Sequence, residues 1–222
     1  MNVVVTGGTG YIGRALIEWL VTRGHDVVAL VRPESRSKLP SGATPIIGDA
    51  LDAATFAHSL PRNATLVHLV GTPHPNPSKA QEFERVDLAS VKASVVAARR
   101  AAVAHLVYVS VAQPAPVMRA YVAARAAGEA AISSAGLTAT MLRPWYVIGP
   151  GRRWPILLKP AYWLLERLPS TRESARRLGL VTIEQMVIAL AAAVEHPPTT
   201  GTIRIIDVPE IRAAKLGEPS RR

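Results

Sequence analysis

Residues 3–14 read VVVTGGTGYIGR, and this stretch decides the fold. Val3, Val4, Val5 and Thr6 form the β-branched run that a strand buried on both faces requires. It runs into Gly7, Gly10 and Gly13 at G-x-x-G-x-x-G spacing. Beyond that turn Ile12, Ala15, Leu16, Trp19 and Leu20 recur at helical intervals. Strand, glycine turn and helix in this order are the context in which such glycines bind a dinucleotide. Gly7 permits the tight turn. Gly10 lets backbone N–H groups approach a pyrophosphate, and Gly13 lets the helix lie close on the sheet. The unpaired N–H groups and the positive dipole end of the helix then face the phosphates, with Thr9, Tyr11 and Ile12 completing the turn.

The chain has 222 residues, enough for one α/β domain with a real core, and a single domain over residues 1–222 is expected. Hydrophobic residues make up 49% and only two are Phe, so Ala, Val and Leu build the interior. The absence of cysteine excludes disulfides, thiolate metal sites and cysteine nucleophiles, and no metal site is expected. Met1 leads directly into the first strand, with no room for a signal peptide, and no apolar run reaches the ~18 residues of a membrane span. The expected location is cytoplasmic. The net charge of +10 invites a nucleic-acid reading. Arginine outnumbers lysine 21 to 5, however, and no lysine-rich arm or nucleic-acid motif is present, so no nucleic acid is expected as a partner. Part of the charge is local: positions 143–177 hold eight Lys/Arg against Glu166 and Glu173.

The first helix is expected to stop at Arg23-Gly24, and a second strand spans 27–31. An acidic residue about twenty positions past the glycines would bind a ribose 2′-hydroxyl. Arg32 stands there instead, with Arg36 and Lys38 nearby and no carboxylate read beside it. A guanidinium suits a 2′-phosphate in geometry and charge. NADP(H) is therefore the expected cofactor, with NAD(H) as the alternative. A third strand at 44–47 leads to Asp49, Ala50 and Leu51 at a strand end. Asp49 suits the adenine amino group and Leu51 the ring face; alternatively Asp49 or Asp52 caps a helix over 54–60. A fourth strand at 66–70 ends in Val70, Gly71 and Thr72, before a proline-dense loop containing His74. His74 reads either as a substrate contact or as an exposed loop residue, and His68 as a buried structural one. Ser78-x-x-Gln81 reads as a capping box opening a helix to about 104.

A fifth strand at 105–109 ends in Ser110, and a helix follows over 117–135. Tyr121 and Arg125 share a face of it, with Glu129 continuing the row. A sixth strand at 138–142 leads to a strand-end loop, 145–151. An apolar, aromatic and basic insert follows at 152–181, broken by Pro155, Pro160 and Pro169. It reads either as a lid or, through 152–178, as a contact for a protein partner or a membrane surface. Thr182-x-x-Gln185 is a second capping box, whose helix runs to Glu195. A last strand at 202–206 completes the sheet, and the basic tail after it is expected to be loose.

Thr6-Gly7-Gly8-Thr9-Gly10-Tyr11-Ile12-Gly13, Gly48-Asp49, Val107-Tyr108-Val109-Ser110, Leu142-Arg143-Pro144 and Gly149-Pro150-Gly151 together resemble the short-chain dehydrogenase/reductase superfamily. The chain looks most like its atypical NmrA-like and epimerase-like members. The resemblance implies a Rossmann-like three-layer αβα sandwich with a mainly parallel sheet, order 3-2-1-4-5-6, plus one or two extra strands. It implies that Asp49 and Leu51 meet the adenine, Gly71 the adenosine ribose and Val147 the nicotinamide end. Catalytic members carry Ser/Thr and Tyr-x-x-x-Lys, the tyrosine moving the proton and the lysine holding the nicotinamide ribose. Tyr121-Val-Ala-Ala-Arg125 keeps the spacing with arginine for lysine. Val111-Ala112 follows Ser110 where many members have another serine, so either Ser110 or Val111 falls at the catalytic point. Two functions follow from the resemblance. One is an NADP(H)-dependent oxidoreductase or epimerase-like enzyme on a small-molecule substrate, with Tyr121 as acid/base, Arg125 orienting the ribose and Ser110 polarising the carbonyl. The other is a non-catalytic NADP(H)-binding redox sensor or assembly subunit.

Overall fold

The computed structural model describes residues 1–115, 117–151 and 178–215. Nine strands occur among them: β1 (Asn2–Thr6), β2 (Asp26–Val31), β3 (Thr44–Ile47), β4 (Thr65–His68), β5 (His105–Val109), β6 (Ala139–Arg143), β7 (Tyr146–Ile148), β8 (Leu180–Thr182) and β9 (Ile203–Asp207). Seven form one parallel sheet in the order β3-β2-β1-β4-β5-β6-β9, and β7 and β8 form a separate parallel pair. The fold is the Rossmann-like α/β sandwich expected, with one extra strand at the β6 edge.

The alternation of β1 sets the two cores, since neighbouring residues on a strand face opposite sides. Val3 and Val5 face a core with Val27, Ala29, Val67, Val107 and Leu142, covered by α1 (Tyr11–Thr22). Val4 faces the other core, with Leu30, Leu66, Leu106 and Met141. That face is covered by α2, a helical run in three pieces (Ala80–Glu82, Phe83–Leu88 in π geometry, Ala89–Arg100), and by α3 (Arg119–Ser134). The first face is completed by α4 (Ile183–Glu195) and α5 (Val208–Ala213). Arg23 Nε and Nη2 reach the two oxygens of Glu195 at 2.7 and 3.0 Å, tying the end of α4 to the end of α1.

Four local expectations are corrected. The stretch 54–60 forms two 3-10 turns, Ala53–Thr55 and Ala57–Ser59, because Phe56 leaves helical geometry (φ −139°) as it enters the core. Its cap is Asp52, which accepts from the Ala54 N–H at 2.9 Å. The Ser78 capping box does not form. Asn76 takes the cap position ahead of Pro77, and the Ser78 hydroxyl donates to Asn76 Oδ1 at 2.6 Å. The loop at 145–151 contains β7, and its partner β8 takes residues 180 and 181 from the insert expected over 152–181; residues 152–177 lie outside the described residues. After β9 the chain turns into α5, through an Asp207–Glu210 capping box with Pro209 in the first turn. The Thr182–Gln185 box forms as read. Among the described residues no helix is long and apolar enough to cross a membrane.

Candidate dinucleotide site and its buried support

The crevice at the carboxyl ends of the strands is where an open parallel sheet binds ligands. At the end of β1, Gly7 takes φ +76° and its carbonyl accepts from the Gly10 N–H at 3.0 Å. A Cβ on Gly13 would run into the Gly7 carbonyl oxygen and lie 2.8 Å from Gly8 Cα, so helix and turn touch backbone to backbone. Gly10 caps α1 in extended geometry with no side-chain cap, and no acid stands in the first turn. The first N–H groups of α1 are thus left to an outside acceptor, at the positive end of the helix dipole. Thr9, Tyr11 and Ile12 line this mouth half-exposed. The cradle fits the pyrophosphate of NAD(P)H.

The other strand ends carry the remaining cofactor candidates. Arg32 follows β2 with its side chain 68% exposed, and its Nε lies 3.2 Å from Glu34 Oε1. The 3-10 turn Pro33–Lys38 brings that carboxylate back, correcting the reading of an arginine with no acid beside it. Asp49 Oδ1 accepts from the Leu51 N–H at 2.9 Å, and the Asp49 N–H donates to Thr55 Oγ1 at 2.9 Å. The turn is thereby fixed with Ala50 half-buried and the Leu51 side chain exposed. Val70, Gly71 and Thr72 leave β4 at the next strand end. Val147 lies in β7; a Cβ on nearby Gly149 would run into the Tyr11 hydroxyl, so this loop packs on the start of α1.

Behind the crevice is a buried charged cluster. Arg125 of α3 is 6% exposed. Its Nη2 donates to Asp87 Oδ1 at 2.6 Å and its Nη1 to the Val109 carbonyl at 3.0 Å. Asp87, 0% exposed, accepts at Oδ2 from the Thr72 N–H (3.0 Å) and hydroxyl (2.6 Å). The guanidinium carbon lies 5.2 Å from the Tyr121 ring centroid, and Phe83 packs edge-on against that ring at 5.0 Å. The guanidinium also touches the residue just before Ser110, whose Oγ is buried with no hydrogen-bond partner among the described residues. Val111 and Ala112 are buried beyond it. Tyr121, Arg125 and Ser110 therefore belong to one neighbourhood. Glu129, next in the row, is held instead by Arg143 Nε and Nη2 at 2.9 and 2.5 Å.

Asp87 belongs to none of the sequence motifs. A signal exists: Phe83, Asp87 and Val91 lie four apart on a buried stripe of α2, and an aspartate on an apolar stripe requires a buried partner. His74, at φ +48°, lies on the exposed loop.

His68 lies under the same crevice, fully buried, with Nδ1 within 3.0 Å of Thr6 Oγ1 and 2.9 Å of Ser94 Oγ. Burial, aided by the Arg125 charge, pushes its pKa down to about 3. The unfolded chain therefore takes up a proton at His68 from about pH 6.5 downward, whereas the folded one resists until about pH 3. The stability contributed is complete above pH 6.5 and lost as pH falls toward 3. A His68→Gln protein is expected to show a shallower fall of Tm across that window in thermal melts; an unchanged slope would dismiss His68 as the group responsible.

Comparison with known families bears directly on this crevice. A family described as NAD(P)H-binding matches residues 7–153, from the glycine turn through Gly149. The chain belongs to this NAD(P)H-binding family. A 3-diazoavenalumate denitrifying reductase of Streptomyces sp is 30% identical over 234 residues, covering 93% of this chain and 76% of the relative. The 4-hydroxy-2-methyl-3-oxo-4-farnesyl-3,4-dihydroquinoline-1-oxide ketoreductase of Stigmatella aurantiaca is 35% identical over 112 residues, 50% of this chain and a 33% share of that enzyme. Among solved structures, MoeE5 with UDP-glucose and NAD superposes with a TM-score of 0.70 at 22% identity, covering 95% of this chain and 79% of MoeE5. That likeness is one of fold.

Proposed function

We propose that this family member is an NADP(H)-dependent oxidoreductase that interconverts a ketone and an alcohol. One observation carries the reading: a single buried guanidinium gathers the Tyr121 ring and the strand end bearing Ser110, whose hydroxyl has no hydrogen-bond partner among the described residues. When bound, NAD(P)H supplies the hydride to the carbonyl carbon. The Ser110 hydroxyl donates to the substrate oxygen and polarises the carbonyl. The Tyr121 hydroxyl delivers the proton to that oxygen as the alcohol forms, and takes it back in the reverse direction. Arg125 touches the ring of Tyr121 and the carbonyl before Ser110, and so keeps the two hydroxyls in register. The half-buried Trp145, Tyr146 and Val147 suit a substrate with an apolar portion, as does the farnesyl-bearing substrate named for the Stigmatella ketoreductase.

The preference for the 2′-phosphorylated cofactor rests on Arg32, with Arg36 and Lys38 on the turn behind it. Calorimetric titration with NADPH, NADP⁺, NADH and NAD⁺ tests it. A charge-assisted contact contributes about 1.5–3 kcal/mol, so NADP(H) is expected to bind roughly tenfold tighter or better. Arg32→Asp abolishes the preference, and Glu34→Gln enlarges it by freeing the guanidinium. Equal affinity for all four nucleotides in the wild type overturns it.

A second reading is favoured by one observation: Arg125 is committed to Asp87 inside the protein instead of standing free as a lysine would. In it the protein binds NADP(H) without turnover, as a redox sensor or accessory subunit, and the basic apolar sequence at 152–178 meets a protein partner or a membrane surface. Reduction of an aliphatic or aryl ketone by the purified protein with NADPH separates the two.

A further inference from the structure

We infer that Asp87 is the positioning residue of the site: one buried turn of α2 sets the Arg125 guanidinium through Asp87 and the Tyr121 ring through Phe83. The kinetic consequence rests on the oxidoreductase reading; the cofactor-binding and spectroscopic consequences rest on the geometry alone. The turn is the π-type segment Phe83–Leu88, a geometry that occurs mostly as single widened turns and often at functional sites. Phe83 and Asp87 are both buried.

The carboxylate of Asp87 accepts on both oxygens. It accepts from Arg125 Nη2 on one oxygen and from the N–H and hydroxyl of Thr72 on the other. Arg125 Nη1 reaches the Val109 carbonyl at 3.0 Å and the Val70 carbonyl at 3.5 Å. A planar fork with five donors spans these acceptors together, which the compact ammonium of lysine does not. Between them passes Gly71, where a Cβ would run into Arg125 Nη2 and lie 3.0 Å from Asp87 Oδ1. The β4-end loop thus rests on the ion pair with no side chain between. Arg125 and Asp87 form one unit: the arginine in Tyr121-x-x-x-Arg125 is the cation that this aspartate requires. The unit acts on a bound cofactor through Gly71 and Thr72, and on the proton-bearing group through the Tyr121 ring.

The test uses the full chain with NADPH as the binding probe and acetophenone as the ketone probe. Three variants are compared with wild type: Asp87→Asn, Thr72→Val and the double variant Asp87→Asn with Arg125→Gln. Asp87→Asn leaves a buried guanidinium without its counter-charge and is prone to misfold. The double variant removes both charges and is expected to fold. In wild type, resolved and slowly exchanging Arg125 Nη–H signals are expected by NMR; they should collapse in Asp87→Asn and persist in Thr72→Val. NADPH fluorescence titration shows Kd raised about tenfold in the double variant, as the loss of one or two contacts would give. With acetophenone, kcat of the double variant falls about a hundredfold while KM moves by less than about threefold, the signature of misplaced reacting groups. Wild-type NADPH affinity in a folded double variant, or Arg125 signals unchanged in Asp87→Asn, overturns the inference. Absence of acetophenone turnover in the wild type counts against the oxidoreductase reading alone, and the NMR and NADPH readouts still decide the role of the Asp87–Arg125 unit.

Discussion

Replacing Gly13 with valine is expected to weaken NADPH binding by at least about a hundredfold and to lower Tm by roughly 2–10 °C. The added Cβ would run into the Gly7 carbonyl oxygen and lie 2.8 Å from Gly8 Cα and 3.0 Å from the Gly7 carbonyl carbon. All three atoms are backbone of the phosphate turn, so no rotamer change makes room. Either α1 lifts from the sheet or the turn opens. Overpacking of this kind costs about 1–3 kcal/mol, which for a chain of this size gives the stated fall in Tm. Opening the turn also misdirects the first N–H groups of α1. Losing two charge-assisted contacts to phosphate, at about 1.5–3 kcal/mol each, gives the hundredfold or more. Gly24→Ala is the control: φ there is positive, +79°, but a Cβ meets nothing within 4 Å. It should lose some stability and no NADPH affinity. Normal NADPH titration of Gly13→Val would remove the phosphate cradle from the picture.

The sheet could be read from the chain wherever local pattern and tertiary role agree. β-branched runs end in glycine or a polar residue, and helices with one apolar stripe separate them; their order leaves little choice of topology. Thr182-x-x-Gln185 forms the capping box its letters describe because no stronger cap stands beside it. Ser78-x-x-Gln81 has the same letters and fails, because Asn76-Pro77 two residues earlier offers a better cap and takes the serine hydroxyl as a donor. The pairing of β7 with β8 was illegible for a different reason. Each has three residues, and their partnership joins positions more than thirty apart in the chain, which no local period reports.

At the site, legibility divides between backbone and side chain. The glycine turn is a backbone device, and its spacing in the chain is its spacing in the fold. Arg32 stands directly after β2, and its partner Glu34 becomes a neighbour only because a 3-10 turn folds it back. The largest gap concerned Arg125. As letters, Tyr-x-x-x-Arg suggests a cation facing a ribose. In the fold the guanidinium is 6% exposed and bound to a carboxylate thirty-eight residues earlier in the chain. That partnership depends on α2 and α3 packing side by side, a tertiary event with only the misplaced aspartate of the α2 stripe to announce it.

Tyr121→Phe is expected to lower kcat for ketone reduction by about 10²–10⁴-fold, the usual contribution of a positioned proton donor. The substitution removes one oxygen and keeps the ring. The edge-on contact with Phe83 at 5.0 Å and the Arg125 guanidinium at 5.2 Å both depend on that ring, so Tm should move by no more than a surface substitution would move it. NADPH affinity should stay within about twofold, because the phosphate cradle is backbone of Gly7, Gly10 and Gly13 between β1 and α1 and the substitution leaves the Tyr121 ring in place. The expected pattern is therefore a large loss in kcat with binding and folding intact. A parallel loss of NADPH affinity would mean that the hydroxyl contacts the cofactor and not the reacting oxygen. Unchanged ketone reduction would move the proton donor elsewhere, leaving Ser110 as the hydroxyl already in place at the end of β5. If wild type and variant both bind NADPH and neither turns over a ketone, the ring serves only as the surface on which the Asp87–Arg125 pair is laid, and the sensor reading takes precedence.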